Sequence, residues 1–265
     1  MQQPTAYGDS MADIYDMLYP HTPDVDHCAN FIAALAGDGG SVLELGVGTG
    51  RLSFPLVERG LLVDGVDAST RIMDRLREKD VKNVIANSAD KNDPTPRLIL
   101  HQGDFTSWRT ERTFDVVVLA LNTLFAIPEV EQQVSTLRRM CEHVKPGGHV
   151  VLETFDPLPY HQQSEPSVTL HNLPDNQVML DKVYVSRWNQ MLLITHTLMG
   201  EGRPQTFMET ARYAWPAELD LMARTAGLGL SNRYAGWMRE PFNDLAPRVV
   251  SCYQPLPDDI GQYGA

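Results

Sequence analysis

Cysteine is scarce in this chain. Cys28, Cys141 and Cys252 are the three thiols among 265 residues, odd in number and far apart. That spacing excludes a disulfide framework and offers no zinc-ligand pattern, so three reduced thiols of an intracellular protein are the plain reading. Basic residues are also in short supply. Lys and Arg number 22 against 34 Asp and Glu, a formal net charge of -12. A chain this acidic lacks the cationic surface that sequence-independent nucleic-acid binding needs, and it is a poor binder of anionic membranes. No run approaches the roughly 20 apolar residues of a membrane-spanning helix. The start, Met1-Gln2-Gln3-Pro4-Thr5, has neither a basic cluster nor an apolar leader, so a cytoplasmic protein is expected. Internal repeats and low-complexity segments are missing too.

What is present is a core-forming apolar content of 43% and a regular rhythm. Residues 12–18 and 25–35 carry apolar side chains at helical spacing, and Gly37-Asp38-Gly39-Gly40 stops the second helix. Strands are then expected at 41–45, 61–66, 98–102, 116–120 and 149–153. Helices are expected at 51–58, 71–78 and 131–143. A long polar loop over 80–97 and a turn at Lys145-Pro146-Gly147-Gly148 interrupt them. Alternating strands and helices imply right-handed crossovers and a doubly wound, mostly parallel α/β sheet. After Phe155 the rhythm changes to four β segments, at 168–173, 178–188, 191–200 and 206–215, separated by turn signals. A helix at 217–226 and strands at 228–234 and 249–254 close the chain. The expected organisation is therefore a helical cap (1–40), a core (41–155 and 216–265) and an antiparallel β insertion or lid (156–215).

The stretch Val42-Leu43-Glu44-Leu45-Gly46-Val47-Gly48-Thr49-Gly50-Arg51 is a buried strand that breaks into three alternate glycines before a helix. Such a turn lets a ligand approach bare backbone N–H groups. It serves nicotinamide dinucleotides and S-adenosylmethionine alike. The dinucleotide fingerprint, however, wants a small residue where Arg51 stands. Glu44, just before the turn, can serve a cofactor ammonium through backbone or water. Asp67, ending the second strand ahead of Ala68 and Ser69, can accept both ribose hydroxyls. Asp104, after the third strand in His101-Gln102-Gly103-Asp104-Phe105, can accept from an adenine amino group while Phe105 flanks the ring. Each acid has a plainer alternative: a solvated strand end for Glu44, a helix N-cap for Asp67, a turn former for Asp104. Their joint place at successive strand ends favours a ligand, because open α/β sheets bind outside the carboxyl ends of their strands.

This ordered set resembles the class I S-adenosylmethionine-dependent methyltransferases. Phe114-Asp115-Val116-Val117-Val118 followed by Leu121-Asn122 is similar to that family's fourth strand and active-site edge, and Lys145-Pro146-Gly147-Gly148 to its turn before strand five. The resemblance implies a Rossmann-like, seven-stranded, mostly parallel sheet whose closing strands run in reverse. It implies S-adenosylmethionine as cofactor and S-adenosylhomocysteine as product. The cofactor contacts it implies are Glu44, Gly46, Gly48, Gly50, Arg51, Asp67, Ala68, Ser69, Met73, Asp104, Phe105 and Leu121. The start Ile14-Tyr15-Asp16-Met17-Leu18-Tyr19 and the His-Gln-Gly-Asp run resemble the amino-sugar N-methyltransferases of antibiotic pathways. By that likeness the first helix folds over the cofactor and Tyr19 contacts ligands.

The expected reaction is in-line methyl transfer to a nitrogen or oxygen of a small molecule, in natural-product biosynthesis, with no metal. Tyr19 and Asn122 are expected to position the acceptor. His161 is a candidate base, with His21, His171 and His196 as others. Asn122-Thr123-Leu124-Phe125 lacks the Pro-Pro-aromatic motif of nucleic-acid amino methyltransferases. A small-molecule acceptor is therefore expected, with no nucleic-acid or membrane partner and with a homodimer left open. Two rival readings stay in view: a nicotinamide-dependent oxidoreductase, and a non-catalytic S-adenosylmethionine-binding subunit.

Overall fold

In the computed structural model, residues 5–85 and 97–257 are described; most of the expected 80–97 loop lies outside them. Helices α1 (Ala6–Met11), α2 (Tyr15–Leu18) and α3 (Pro23–Ala36) precede β1 (Ser41–Leu45). The first helical stretch is two short pieces instead of one, and it begins earlier than its apolar spacing suggests. Then come α4 (Ser53–Glu58), β2 (Leu62–Asp67), α5 (Thr70–Glu78), β3 (Leu98–Gln102), β4 (Phe114–Leu119), a 3-10 turn (Thr123–Ala126), α6 (Val130–His143) and β5 (Val144–Phe155). The insertion holds α7 (Leu158–His161), β6 (Ser167–Asn172), β7 (Val178–Ser186), β8 (Met191–Met199) and β9 (Gln205–Arg212). The chain closes with α8 (Pro216–Thr225), β10 (Leu228–Tyr234) and β11 (Arg248–Pro255).

The large sheet has seven strands in the order β10-β11-β5-β4-β1-β2-β3. Its first five strands in sequence pair in parallel, while β11 is antiparallel to both β5 and β10. The order reverses beside β1, between β2 and β4, and opens the crevice in which such sheets bind ligands. Both faces are covered, as the apolar runs demand. One core gathers Leu43, Leu45, Val117 and Leu119 with α6 and α8. The other gathers Val42, Val63, Val116 and Val118 with α3 and α4.

Lys145-Pro146-Gly147-Gly148 does not end a strand. It lies inside β5 as an irregularity, where the pairing shifts between Phe114↔Val144 and Val116↔His149, and Gly147 takes φ +78°. A local bulge satisfies the turn residues without breaking the ladder.

The second sheet, in the order β6-β7-β8-β9, is antiparallel throughout. Its hairpin turns use Asp175, Asn176 and Gln190 at positive φ, the left-handed backbone that tight hairpin connections call on. Its inner face packs on two sides. Val183 and Leu192 join the main core, while Met179 joins Met11 and Ile14 of the N-terminal segment. Among the described residues no helix is long and apolar enough to cross a membrane.

Candidate active site

The turn after β1 is built as its alternate glycines foretell. Gly46, Gly48 and Gly50 take φ of +75°, +55° and +78°, left-handed backbone in which a side chain is strained. Space selects glycine as well. A Cβ on Gly46 would lie 2.9 Å from Thr123 Cγ2, and one on Gly50 would lie 2.8 Å from the Phe54 ring. The N–H groups of Gly46 and Val47 both donate to the Val66 carbonyl, at 2.8 and 3.0 Å, and pin the turn to β2. Helix α4 begins at Ser53, two residues later than expected, because the turn itself occupies Arg51 and Leu52.

Asp67 ties this turn to the next element. Gly48 N–H donates to its Oδ2 and Ser69 N–H to its Oδ1, each at 3.0 Å. The helix N-cap is Ser69, whose hydroxyl accepts from Ile72 N–H. Burial raises the Asp67 pKa, against the pull of these amides. The carboxylate is therefore under-compensated as it stands, and it retains lone pairs for further donors. Glu44 is not a solvated strand end: it is 4% exposed. Burial pushes its carboxyl up to about 7, while the Ser53 hydroxyl, which donates to Oε2, and the Arg51 charge oppose that shift. Arg51 makes no hydrogen bond or ion pair among the described residues. It lines a groove of about 410 Å³ with Tyr19, Gly50 and Phe54.

At the third strand end, Asp104 does form a turn. Its Oδ1 accepts from Thr106 N–H at 2.9 Å and from Thr106 Oγ1 at 2.8 Å, which leaves Oδ2 outside that turn. Gly103 N–H donates to the Asp67 carbonyl at 2.9 Å, linking the two acid-bearing strand ends. Phe105 packs on the main core. Met73 is 1% exposed and sits in a cluster with Ala12 and Ile72, against Tyr15.

The chain leaves β4 under strain. Leu121 and Asn122 both have positive φ, +48° and +62°, which a Leu adopts only where its surroundings over-determine it. Glu153 supplies the restraint: its Oε2 accepts from Leu121 N–H at 2.8 Å and its carbonyl accepts from Asn122 N–H at 3.1 Å. Trp237 Nε1 and Arg248 Nη1 in turn donate to Glu153 Oε1, at 3.2 and 3.0 Å. Sequence reading missed Glu153, whose role depends on β11 and the loop before it.

The N-terminal segment folds over the glycine turn. Ser69 Oγ donates to Asp9, Thr49 Oγ1 donates to Asp16, and Arg71 and Arg75 pair with Asp13. Tyr15 lies 3.8 Å from where a Gly48 Cβ would be, and its ring is 4.9 Å from that of Tyr19. Tyr7 packs in the same cluster as Tyr15, and desolvation raises the pKa of Tyr7, Tyr15 and Tyr19. Tyr7 and Tyr15 escaped the sequence reading, although Tyr15 stands in the quoted motif. His161 is elsewhere. Its Nδ1 meets the Tyr213 hydroxyl at 2.8 Å and its ring abuts Trp215, with no hydrogen bond or ring contact to Tyr19 or Asn122. Among the described residues no group of three or more His, Cys, Asp or Glu could hold a metal ion.

The geometry thus offers an open glycine turn, a buried acid, an unpaired guanidinium and an under-compensated carboxylate at the next strand end. Comparison with known proteins decides the family. A family model described as a methyltransferase domain matches residues 42–148. Cypemycin N-terminal methyltransferase of a Streptomyces species is 32% identical over 255 residues, covering 91% of this chain and 94% of that protein. The chain belongs to the S-adenosylmethionine-dependent methyltransferases. The CcbJ methyltransferase of Streptomyces caelestis is 34% identical to this methyltransferase, with a TM-score of 0.86 over 97% of this chain and 100% of that one. CalS10 of Micromonospora echinaspora, an amino pentose methyltransferase involved in calicheamicin biosynthesis, shares the fold at 16% identity, with a TM-score of 0.70. It covers 91% of this methyltransferase and 96% of that chain. The enzyme therefore uses S-adenosylmethionine, and the likeness does not favour the nicotinamide reading.

Proposed function

We propose that this methyltransferase methylates an amine nitrogen of a small molecule or short peptide in natural-product biosynthesis. The cofactor supplies an activated methyl group on a sulfonium, ready for in-line displacement. The chain's own residues fit that cofactor by charge. Arg51 would hold its carboxylate, and Glu44 would serve its ammonium through the backbone of the turn. Gly46, Gly48 and Gly50 would let it approach main-chain N–H groups. Asp67, with Ala68 and Ser69 beside it, would accept from the ribose. The free oxygen of Asp104, with Phe105, Met73 and Leu121, would border the adenine.

One observation carries the choice of nitrogen. The side chains that close over the turn are Tyr7, Tyr15 and Tyr19, phenols that are neutral at their ordinary pKa and that desolvation raises further, Tyr19 lying at the exposed edge of the three. A neutral phenol can donate a hydrogen bond and orient a nucleophile, but it cannot take the proton of an alcohol. A free amine brings its own lone pair and needs mainly alignment, which can be worth roughly 7–11 kcal/mol. Tyr19 and Asn122 would provide it, from the cap and from the strained end of β4. His161, already bonded to Tyr213, is the weaker candidate. Similarity to an N-terminal methyltransferase and to an amino pentose methyltransferase supports the reading. The test is a set of natural-product amines and their N-acetyl counterparts with labelled S-adenosylmethionine. Label enters the free amines only; equal labelling of both members of each pair sinks the proposal.

A further inference from the structure

Where the small sheet packs on the core and on the N-terminal segment, a stripe of ionisable side chains crosses its inner face. Strand pairing sets Asp181 opposite His196, and His196 opposite Phe207. Side chains alternate along a strand, so Glu209, two residues beyond Phe207, shares their face. On one side Val183 and Leu192 belong to the main core, and on the other Met179 packs on the N-terminal segment. Between them, His196 is 6% exposed. Its Nδ1 lies 2.7 Å from Asp181 Oδ1, and its ring stacks on Phe207 at 5.0 Å. Its Nε2 is buried with no hydrogen-bond partner among the described residues. Glu209 Oε1, 3.4 Å away, is within ion-pair range only.

Packing alone does not call for this stripe, since hydrophobic side chains of similar volume would fill the face as well or better. Asp181 is held from two sides, by His196 and by His171 Nε2 at 2.9 Å. Glu209 has the looser contact. Burial works against a charge on His196, and the two carboxylates override it, raising its pKa to about 9. Glu209, whose contact with His196 is the longer one, keeps lone pairs for a further donor. Phe207, two residues from Glu209 on the same face, packs in one cluster with Met179, Tyr7 and Tyr15. Tyr7 and Tyr19 belong to the aromatic cluster over the glycine turn, where Tyr15 reaches Gly48.

We infer that Glu209 determines acceptor specificity: its carboxylate receives the ammonium of a cationic amine as it enters, His196, fixed by Asp181, positions that carboxylate, and the ammonium yields its proton to water before its freed lone pair attacks the methyl group. The inference rests on the amine reading above and names the residue that selects the amine. An ammonium at Glu209 sits beside the tyrosines, whose ring faces also favour a cation. A neutral acceptor entering the same place leaves the carboxylate without a partner.

The experiment uses the full chain with S-adenosylhomocysteine bound and two matched probe pairs: alanine amide with N-acetylalanine amide, and glucosamine with N-acetylglucosamine. Calorimetry on the wild type is expected to show the free amines binding about tenfold tighter or more than their acetylated partners. Glu209→Gln abolishes that preference, and Glu209→Asp restores part of it. His196→Gln weakens the preference. All three variants keep wild-type affinity for S-adenosylhomocysteine, which reports an intact fold. In turnover, Glu209→Gln raises KM for the amine about tenfold while kcat changes less than about threefold. A wild type with no preference for the charged probes, or a Gln variant that retains it, overturns the inference. Methyl transfer to amines that survives Glu209→Gln with KM unchanged removes Glu209 and leaves the amine reading standing. A wild type that methylates no free amine removes that reading itself.

Discussion

Replacing Asp67 separates two jobs that the structure gives to one carboxylate. Its two oxygens each accept a backbone N–H, from Gly48 and from Ser69, at 3.0 Å. In Asp67→Asn one of those N–H groups faces an amide NH2 instead of an acceptor. An orphaned buried donor costs about 1–3 kcal/mol. For a chain of this size each kcal/mol moves Tm by roughly 2–4 °C, so the ligand-free variant should melt roughly 2–12 °C lower. The proposed ribose contacts add a second, independent loss. A hydrogen bond to a charged acceptor is worth about 1.5–3 kcal/mol, so affinity for S-adenosylhomocysteine should fall by about tenfold to a hundredfold. Thermal melts and calorimetry on the same preparation measure both. A lowered Tm with unchanged S-adenosylhomocysteine affinity would falsify the ribose role and leave Asp67 as a brace of the turn alone.

Three further outcomes are expected. The Glu44 carboxyl keeps its proton to about pH 7 in the fold, against an ordinary 4.5, so the folded state holds more protons in that window. Its contribution to stability is then lost as pH rises through it, by about 3 kcal/mol in all, and is constant above. Denaturant unfolding of ligand-free Glu44→Gln should lack this fall between pH 4.5 and 7, and a parallel curve refutes the argument. Gly48→Ala places a Cβ on a left-handed residue, a strain of about 1–2 kcal/mol, in ordinary contact with Tyr15 and Ile72 and without a clash. S-adenosylhomocysteine affinity should drop about tenfold or more beside a Tm loss of roughly 2–8 °C from the strain, and full affinity would show that nothing approaches the turn there. Tyr19→Phe removes a hydroxyl worth about 1 kcal/mol, so turnover should fall about fivefold with Tm unchanged. A wild-type rate removes Tyr19 from the site.

Where the sequence was legible, local chemistry was enough. Three alternate glycines announced three left-handed residues, and continuous apolar runs announced strands buried on both faces. The turn at Asp175-Asn176 announced a hairpin. The acids at the ends of β1, β2 and β3 were visible because successive strand ends converge in any parallel sheet. What stayed hidden was non-local. Glu153 restrains Leu121 and Asn122 only because β11 brings Arg248 beside it and the loop before β11 brings Trp237. The Asp181–His196–Glu209 stripe depends on strand register, which no single segment contains. The one available signal was a polar residue at an inward position of each strand. His161 looked available in the sequence, and Tyr213, more than fifty positions away, engages it.

The most direct test is the position of the transferred methyl on a substrate that carries both nucleophiles. The wild-type enzyme is incubated with labelled S-adenosylmethionine and an amino sugar bearing a primary amine and free hydroxyls, and the product is fragmented by tandem mass spectrometry. The account predicts all label on nitrogen. Label on a hydroxyl oxygen with the amine untouched would contradict it.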